Sequence, residues 1–440
     1  MQPSDKALWR LAFPLVLANA TEPLLGMVDT AVIGRLAETE PLAAVVLGTQ
    51  LFNILFWAFG FLRMGTTAFA AQAFGLRDTA AIRAIFVQTS ILGGIIGLLL
   101  LLLFYPMGVL SFFLLKPSAN IETLAWDYYT VRILAAPGAL INFALYGWLI
   151  GMQRSVLALW VAIVINLVNI PLSVLFVLVF SLGVKGVALA AVIAEYVGLM
   201  AAFGAVWVVL RRYPGAFPFE RIFQLSAYRP LLMVNRDIFF RTFLLIVVMG
   251  WFTRASAAFG DIVLAANGIL LIFYTFMAYT IDGFAQAIES ITGHVAGIND
   301  QNVFKKSLVV FTRWGIILCL FFCALYHWMG PWFTTFLTAN HTIQSAVLDY
   351  LPWLYLLPFV SVAAFFLDGI YIGILKVKTM RNSMALACFT FAVIYYTLPS
   401  WQNHGLWFAF TGFLAARAGT LGLNLYRMLK HPFTFFDKTA

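Results

Sequence analysis

The sequence predicts an all-α integral membrane protein with twelve transmembrane helices, arranged as two six-helix bundles related by a pseudo-twofold axis along the membrane normal. Composition, long apolar runs and an internal repeat predict this fold. Of the 440 residues, 63% are hydrophobic and 10% are charged, whereas about a quarter of residues are charged in soluble domains. This composition excludes a water-soluble fold. Helices are favoured over barrel strands because the apolar runs lack the alternation of a strand.

Twelve apolar segments lie between charged or Pro/Gly-rich breaks, and each can cross the hydrocarbon core, which requires roughly 20 residues. They lie near residues 8–33, 42–62, 83–114, 122–151, 155–182, 186–210, 231–258, 261–291, 307–330, 343–375, 379–400 and 404–427. We therefore expect an N-lobe at 1–212, a cytoplasmic linker at 213–230 and a C-lobe at 231–440.

The basic residues predict the orientation, because cytoplasmic loops are enriched in Lys and Arg. With both termini and the even-to-odd connections inside, 19 of the 27 Lys and Arg residues lie in inside loops and 4 lie outside. Both termini are therefore expected to be cytoplasmic. The net charge of +9 is spread over short loops without a contiguous patch, which argues against nucleic acid as a partner.

An internal repeat relates the two halves at a constant offset of 222 residues. Gly147 maps onto Gly369, Gly151 maps onto Gly373, and residues 42–44 map onto an identical Leu-Ala-Ala segment. Because each half has an even number of spans and begins on the same side, the halves are predicted to be parallel repeats. Such repeats typically move against each other around a substrate cavity.

Asp29 is the leading candidate for ion coupling. It lies in span one after Pro14 and Pro23, and an ionisable residue at membrane depth costs several kcal/mol unless it has a partner or a function. A lone carboxylate there is expected to hold a proton or another cation. The alternative is that Asp29 lies near the outer end of the helix and is merely solvated, since Arg35 follows soon after.

Span five carries a polar stripe. Asn166, Asn169 and Ser173 lie at spacings of three and four and so face one side of a helix, with Pro171 between them. They could form a hydrogen-bonding shell for Asp29 or for an ion. They could equally hold neighbouring helices together, a role that Asn and Ser often have in membranes.

The second half contains a further set of charged residues within spans. Asp237 and Arg241 are one helical turn apart, which predicts a structural ion pair. Asp282 and Glu289 in span eight and Asp368 in span ten complete a candidate C-lobe polar site. A second proton or cation site at Asp368 is one interpretation of this set.

No motif indicates an enzyme, a metal site or a cofactor. The three cysteines lie in apolar runs, and the five histidines share no metal-ligand spacing. The sequence contains no Ser/His/Asp arrangement and no Gly-rich phosphate-binding motif.

Three short segments carry a family resemblance. They are Val-Asp-Thr-Ala-Val-Ile-Gly-Arg-Leu at 28–36, Gln-Ala-Phe-Gly at 72–75 and Asn-Arg-Asp at 235–237. With the six-plus-six layout, they resemble the multidrug and toxic compound extrusion (MATE) transporters, in particular the branch named for the DNA-damage-inducible protein F. The resemblance implies a multidrug efflux antiporter of the bacterial inner membrane that exports cationic or amphipathic small molecules in exchange for protons or sodium.

The resemblance also implies roles for individual residues. Asp29 matches the coupling carboxylate of the family, Pro14 matches a proline about which the first helix bends, and Tyr146 and Asn169 resemble members of the same polar network. Ser173 stands where many relatives carry a second aspartate, which favours H⁺ over Na⁺ as the coupling ion. We expect the protein to work as a monomer in the lipid bilayer.

Two other functions remain open for a chain of this architecture. One is a sodium-coupled antiporter of the same fold. The other is a flippase of lipid-linked precursors, a class that often has a basic central cavity and extra spans, neither of which is evident in this sequence.

Overall fold

The computed structural model describes residues 4–35 and 39–430, so residues 1–3, 36–38 and 431–440, including both chain ends, lie outside the described residues. The described part of the chain is helical and contains no strand. The first half contains α1 (Asp5–Ile33), α2 (Thr39–Ala58), α3 (Phe61–Leu76), α4 (Thr79–Leu102), α5 (Phe104–Leu115), α6 (Ala119–Arg132), α7 (Ala136–Gly151), α8 (Ser155–Val174) and α9 (Gly183–Leu210). A short α10 (Phe219–Phe223) precedes α11 (Leu225–Ala258), α12 (Asp261–Ile298), α13 (Gln301–Leu337), α14 (His341–Gly373), α15 (Val377–Thr397) and α16 (Gln402–Lys430).

The predicted twelve-helix membrane fold is confirmed. Ten helical segments among the described residues are long and apolar enough to cross a membrane. The other two predicted spans are α11 and α15, which are continuous helices of 34 and 21 residues. They are more polar because they carry charged side chains, among them Asp237, Arg241 and Arg381.

The third predicted span, 83–114, is wrong as a single helix. The structure ends α4 at Leu102 and begins a separate apolar helix, α5, at Phe104. Pro106 lies in the first turn of α5, where its missing N–H is tolerated because the first N–H groups of a helix have no partner within it. The apolar run therefore forms one membrane span followed by a short apolar helix.

The 222-residue repeat is confirmed in the local structure. In the first half, α2 with α3, α4 with α5, and α6 with α7 cover residues 39–76, 79–115 and 119–151. In the second half, α12, α13 and α14 begin and end at the positions 222 residues later, and each is one unbroken helix. Asp78 and Asp300, also related by the offset, both accept backbone N–H hydrogen bonds at the start of the following helix. The duplication therefore extends to the helix caps.

Close helix packing also obeys the repeat. In the first half α7 packs against α3, α4 and α9, and in the second half α14 packs against α12, α13 and α16. A Cβ atom added at Gly147 would lie 2.3 Å from the backbone oxygen of Arg63, and one at Gly369 would lie 2.5 Å from the backbone oxygen of Ala285. Both residues of the second contact lie 222 positions after the corresponding residues of the first. Glycine is required at both positions because the neighbouring backbone cannot move like a flexible side chain.

We expect Gly147→Ala to lower the thermal unfolding temperature of the detergent-solubilised protein, measured by intrinsic tryptophan fluorescence. Overpacking of this kind costs about 1–3 kcal/mol. Gly204→Ala is the matched control, because a Cβ at Gly204 in α9 would meet nothing within 4 Å. An equal change in both variants would contradict a steric requirement at Gly147.

The described residues pack as two compact units. One comprises Leu17–Asn235, and the other combines the described parts of Met1–Val16 and Arg236–Ala440. The first turns of α1 therefore belong with the second half of the chain. Trp9, for example, packs edge-on against Phe284 and Trp314, with ring centroids 5.1 and 4.9 Å away. The predicted lobe boundaries at residues 212 and 230 placed all of α1 in the N-lobe. These boundaries stay a prediction.

Candidate ion-coupling site

Asp29 is buried and hydrogen-bonded by two side chains of α8. Its side chain is on α1 and the residue is 5% exposed, while Asn169 and Ser173 are fully buried. The Ser173 hydroxyl donates to Asp29 Oδ1 at 2.8 Å. With the Asn169 amide oriented so that both its polar atoms are satisfied, its nitrogen donates to Asp29 Oδ1 and its oxygen accepts from the Ala191 N–H, each at 3.3 Å. The interpretation of Asp29 as a solvated residue at a helix end is therefore wrong.

The sequence of α8 places the two side chains on one face of the helix. Asn169 and Ser173 are one turn apart, so both reach the same neighbour. Pro171 lies inside α8 on the exposed side, and a π-helical turn follows at Leu175–Val179. Asn166, one turn earlier, is only half-buried and makes no hydrogen bond to another described residue. The structure thus brings Asn169 and Ser173 to Asp29, but not Asn166.

A second polar group in the first half was not predicted as part of the site. The Arg132 guanidinium lies 3.8 Å from the Glu195 carboxylate and over the ring of Phe56, 5.2 Å from its centroid. Asn142 donates to Glu195 Oε2 at 3.1 Å. Arg132 attracts the carboxylate of Asp29 electrostatically. Among the described residues, however, no Lys or Arg lies within the 4.0 Å ion-pair distance of Asp29.

Two other predicted residues lie on α7 and on α1 itself. Tyr146 is half-buried on α7, and Pro14 is buried within α1, which remains one helix from Asp5 to Ile33. Proline removes one backbone hydrogen bond from a helix, so α1 is weaker against bending near Pro14 and near Pro23 than at its other positions. The roles of both residues stay predictions.

The predicted ion pair between Asp237 and Arg241 is wrong. Arg241 instead pairs with the buried Asp368 on α14, and Arg417 on α16 pairs with the same carboxylate. The Arg417 Nε also lies 3.3 Å from Asp368 Oδ1. Asp237 pairs with Arg381 of α15 at 2.8 Å. Asp237 also contacts Arg236, the preceding residue of α11, at 3.0 Å. Its partner Arg381 and the partner of Arg241 lie on other helices, because the neighbouring helices bring opposite charges closer than the helical turn between residues 237 and 241 does.

The remaining acids of the candidate C-lobe site lie on α12. Asp282 is half-buried and accepts a hydrogen bond from Gln286 at 2.7 Å, and it attracts Arg241 electrostatically. Glu289 is 2% exposed and lies two turns further along the same helix. Two guanidinium groups around Asp368 disfavour a further cation there, which argues against the predicted second cation site.

Within residues 4–35 and 39–430, no group of three or more His, Cys, Asp or Glu side chains could hold a metal ion. The oxygen atoms of Asp29 and Ser173 could instead hold a proton or one small monovalent cation.

Comparison with known proteins decides the family. The MatE family model matches residues 14–175 and 238–397, one match in each half. The chain belongs to the MATE family. Its resemblance to this family is therefore confirmed. It is 38% identical over 422 residues to the DNA damage-inducible protein F of Escherichia coli, covering 96% of this chain and 91% of that protein.

More distant matches agree with this assignment. The MATE chain is 24% identical over 446 residues to a probable multidrug resistance protein NorM of Agrobacterium fabrum, covering 97% of this chain and 94% of that protein. It shares its fold with the outward-facing structure of a multidrug resistance MATE family transporter, with a TM-score of 0.86, 21% identity and 98% of both chains covered. The protein is thus a multi-pass membrane transporter and not an enzyme.

Sequence reasoning missed Arg417 of this MATE transporter as a member of the second-half cluster, although the signal was present. Arg417 is a lone charge within an apolar span and is 1% exposed in the structure. A buried arginine requires a counter-charge, and of the acids in the second-half spans Asp368 is the one that supplies it.

Proposed function

We propose that this MATE transporter is a multidrug efflux antiporter that exports cationic or amphipathic small molecules in exchange for protons, with Asp29 as the coupling carboxylate. The observation that carries the proposal is the environment of Asp29. It is buried at membrane depth, has two neutral hydrogen-bond donors, and has no cationic side chain within ion-pair distance among the described residues. Such a carboxylate can gain and lose a proton without breaking a salt bridge.

The coupling follows from the charge of Asp29. A proton arriving from outside neutralises the carboxylate and weakens its hydrogen bonds to Ser173 and Asn169, because hydrogen bonds to a charged acceptor are stronger than those to a neutral one. The part of α1 that carries Asp29 is then released to rearrange about Pro14, and the affinity for cationic cargo falls. Loss of the proton to the inside restores the charged carboxylate and its two hydrogen bonds.

The two halves of the repeat support an asymmetric mechanism. At the offset of 222, Asp29 corresponds to Trp251 in the second half, and Asp368 corresponds to Tyr146 in the first. Asp368 is neutralised by Arg241 and Arg417, whereas no Lys or Arg of residues 4–35 and 39–430 lies within ion-pair distance of Asp29. We therefore assign coupling to the first half and a structural role to the charged cluster of the second.

The relatives support the proposed cargo class. The NorM protein of Agrobacterium fabrum is named as a probable multidrug resistance protein, and export of drugs is the function we propose for this chain. The high proportion of aromatic residues, 16%, suits amphipathic cargo. We further propose that the protein works as a monomer in the bacterial inner membrane with both termini in the cytoplasm, as its basic loops predict.

The proposal is tested with purified protein in liposomes that contain no sodium. We expect an imposed proton gradient to drive movement of ethidium, an amphipathic cation, against its concentration gradient, measured by the fluorescence of the dye. The physical reason is that protonation of Asp29 lowers the affinity for cationic cargo, so the protein binds a proton and cargo in alternation. A matched liposome sample without protein reports the leak of the dye.

A sodium gradient at constant pH is the second arm of this experiment. Transport driven by sodium alone would overturn proton coupling and favour the sodium-coupled alternative. Transport of ethidium in neither arm, with a lipid-linked precursor moved instead, would favour the flippase.

A further inference from the structure

The segment between α9 and α11, residues 211–224, is held firmly against the first half of the chain. Arg83 of α4 is 8% exposed. It donates hydrogen bonds to the backbone oxygens of Leu210 and Tyr213 at 3.3 and 2.9 Å. Its guanidinium also lies over the ring of Phe217, 4.8 Å from the centroid. One buried cation thus ties the end of α9 and the start of the segment to α4.

The second part of the segment, α10, is also held by α4. Gln88 donates to the backbone oxygen of Arg221 at 3.0 Å, and Arg221 lies 3.6 Å from Asp78. Ile222 of α10 is 1% exposed. The segment is therefore packed against α4, and the side of α10 that carries Ile222 is buried.

The other side of α10 exposes large apolar side chains. Phe219 and Phe223, four residues apart on one helix face, are 66% and 70% exposed, and the adjoining Leu225 is 87% exposed. Ile222 points to a different side of the same short helix. The fold buries one apolar residue and presents three others outward, so these three are available to a partner outside the chain.

The charge around this patch is positive. Residues 211–230 contain one acid, Glu220, and four arginines, at positions 211, 212, 221 and 229, all of them exposed. Each arginine near an anionic membrane surface contributes to attraction, and the effect decays within a Debye length. Aromatic side chains among basic residues are typical of segments that lie in the headgroup region.

The ends of the segment place it at the membrane surface. It connects the end of the sixth span, α9, with the beginning of the seventh, α11, so both ends lie at the same surface. One turn before the segment, Trp207 is 56% exposed and lies beneath the guanidinium of Arg211, 5.7 Å from its ring centroid. A tryptophan at this level is typical of a membrane interface.

We propose that residues 211–225 form a docking surface for anionic phospholipids. Phe219, Phe223 and Leu225 insert between the lipid headgroups, and Arg211 and Arg212 contact the lipid phosphates. The partner is the adjacent membrane leaflet, because exposed apolar side chains, exposed arginines and the exposed Trp207 at the end of the preceding span together suit anionic headgroups. This inference requires a membrane protein but does not depend on the transported cargo or the coupling ion.

The test uses a variant in which Cys319, Cys323 and Cys388 are replaced by serine. A single cysteine at Phe223→Cys carries an environment-sensitive fluorophore, and the protein is reconstituted in phosphatidylcholine nanodiscs with or without phosphatidylglycerol. Some of the lipid carries a quencher close to the headgroup. The matched control carries the label at Glu220→Cys, which is exposed on a different side of α10.

We expect stronger quenching at position 223 than at position 220, and quenching at 223 should increase when phosphatidylglycerol is present. The double variant Arg211→Gln/Arg212→Gln should lose this increase, while Arg254→Gln, near the opposite end of α11, should keep it. Equal quenching at positions 223 and 220 would overturn the proposal. So would quenching at 223 that does not change with phosphatidylglycerol.

Discussion

We expect Asp29→Asn to abolish proton-driven transport of ethidium in liposomes, reducing it to the level of liposomes without protein. Asparagine keeps the size of the side chain and its ability to accept a hydrogen bond from Ser173, but it cannot bind and release a proton. Ser173→Ala should have a smaller effect, because it removes one hydrogen bond to a charged group, worth about 1.5–3 kcal/mol, and leaves the carboxylate in place. The rate of dye movement under an imposed pH gradient measures both.

The matched control for Asp29 is Asp127→Asn in the same half. Asp127 is 42% exposed and forms a surface ion pair with Lys185 at 3.1 Å, and such pairs contribute little. This control should transport normally. Thermal unfolding of Asp29→Asn in detergent, measured by intrinsic tryptophan fluorescence, shows whether the variant is folded. Coupled transport by Asp29→Asn at the wild-type rate would contradict the assignment of the coupling carboxylate.

The second large effect is expected for Asp368→Asn, which should strongly destabilise the protein. The change leaves Arg241 and Arg417, which are 7% and 1% exposed, without their shared counter-charge. Breaking a buried ion pair by removing one partner costs about 3–5 kcal/mol. Thermal unfolding and the fraction of monodisperse protein after solubilisation in detergent measure the loss.

Two further variants separate the loss of charge from other effects. Asp349→Asn removes an exposed carboxylate from the same helix and should unfold like the wild type. The triple variant Arg241→Met/Asp368→Leu/Arg417→Met removes all charges of the cluster and should recover much of the stability, because apolar side chains can replace a buried ion cluster. Wild-type stability of Asp368→Asn would contradict the structural role of the cluster.

Several local features followed from the sequence. The twelve spans, the 222-residue offset and the shared face of Asn169 and Ser173 all follow from patterns within one helix or between its copies. The third span is the exception. Residues 83–114 form one apolar run in the sequence, but the helix is interrupted at Leu103. Hydropathy does not show where an apolar run divides into two helices, and Pro106 lies near the start of the second one.

The partners of the charged side chains were less predictable. Asp237 and Arg241 satisfy the spacing of an ion pair within a helix, yet each has a partner on another helix. Arg132 and Glu195 lie on different helices, α6 and α9, and their proximity leaves no trace in the spacing of residues. Each charge inside the membrane predicted that a partner exists, but not which one.

The sequence by itself determined that this protein spans a membrane and how its two halves correspond, and it predicted Asp29 as the leading candidate for ion coupling. These properties follow from hydrogen bonding and hydropathy along the chain, since a helix in lipid must satisfy its backbone within its own segment. Only the tertiary structure decided that Ser173 and Asn169 reach Asp29 and that two arginines neutralise Asp368. Such contacts depend on which helices are neighbours and on their rotation, and both are set by packing at positions such as Gly147 and Gly369 rather than by the charged residues themselves.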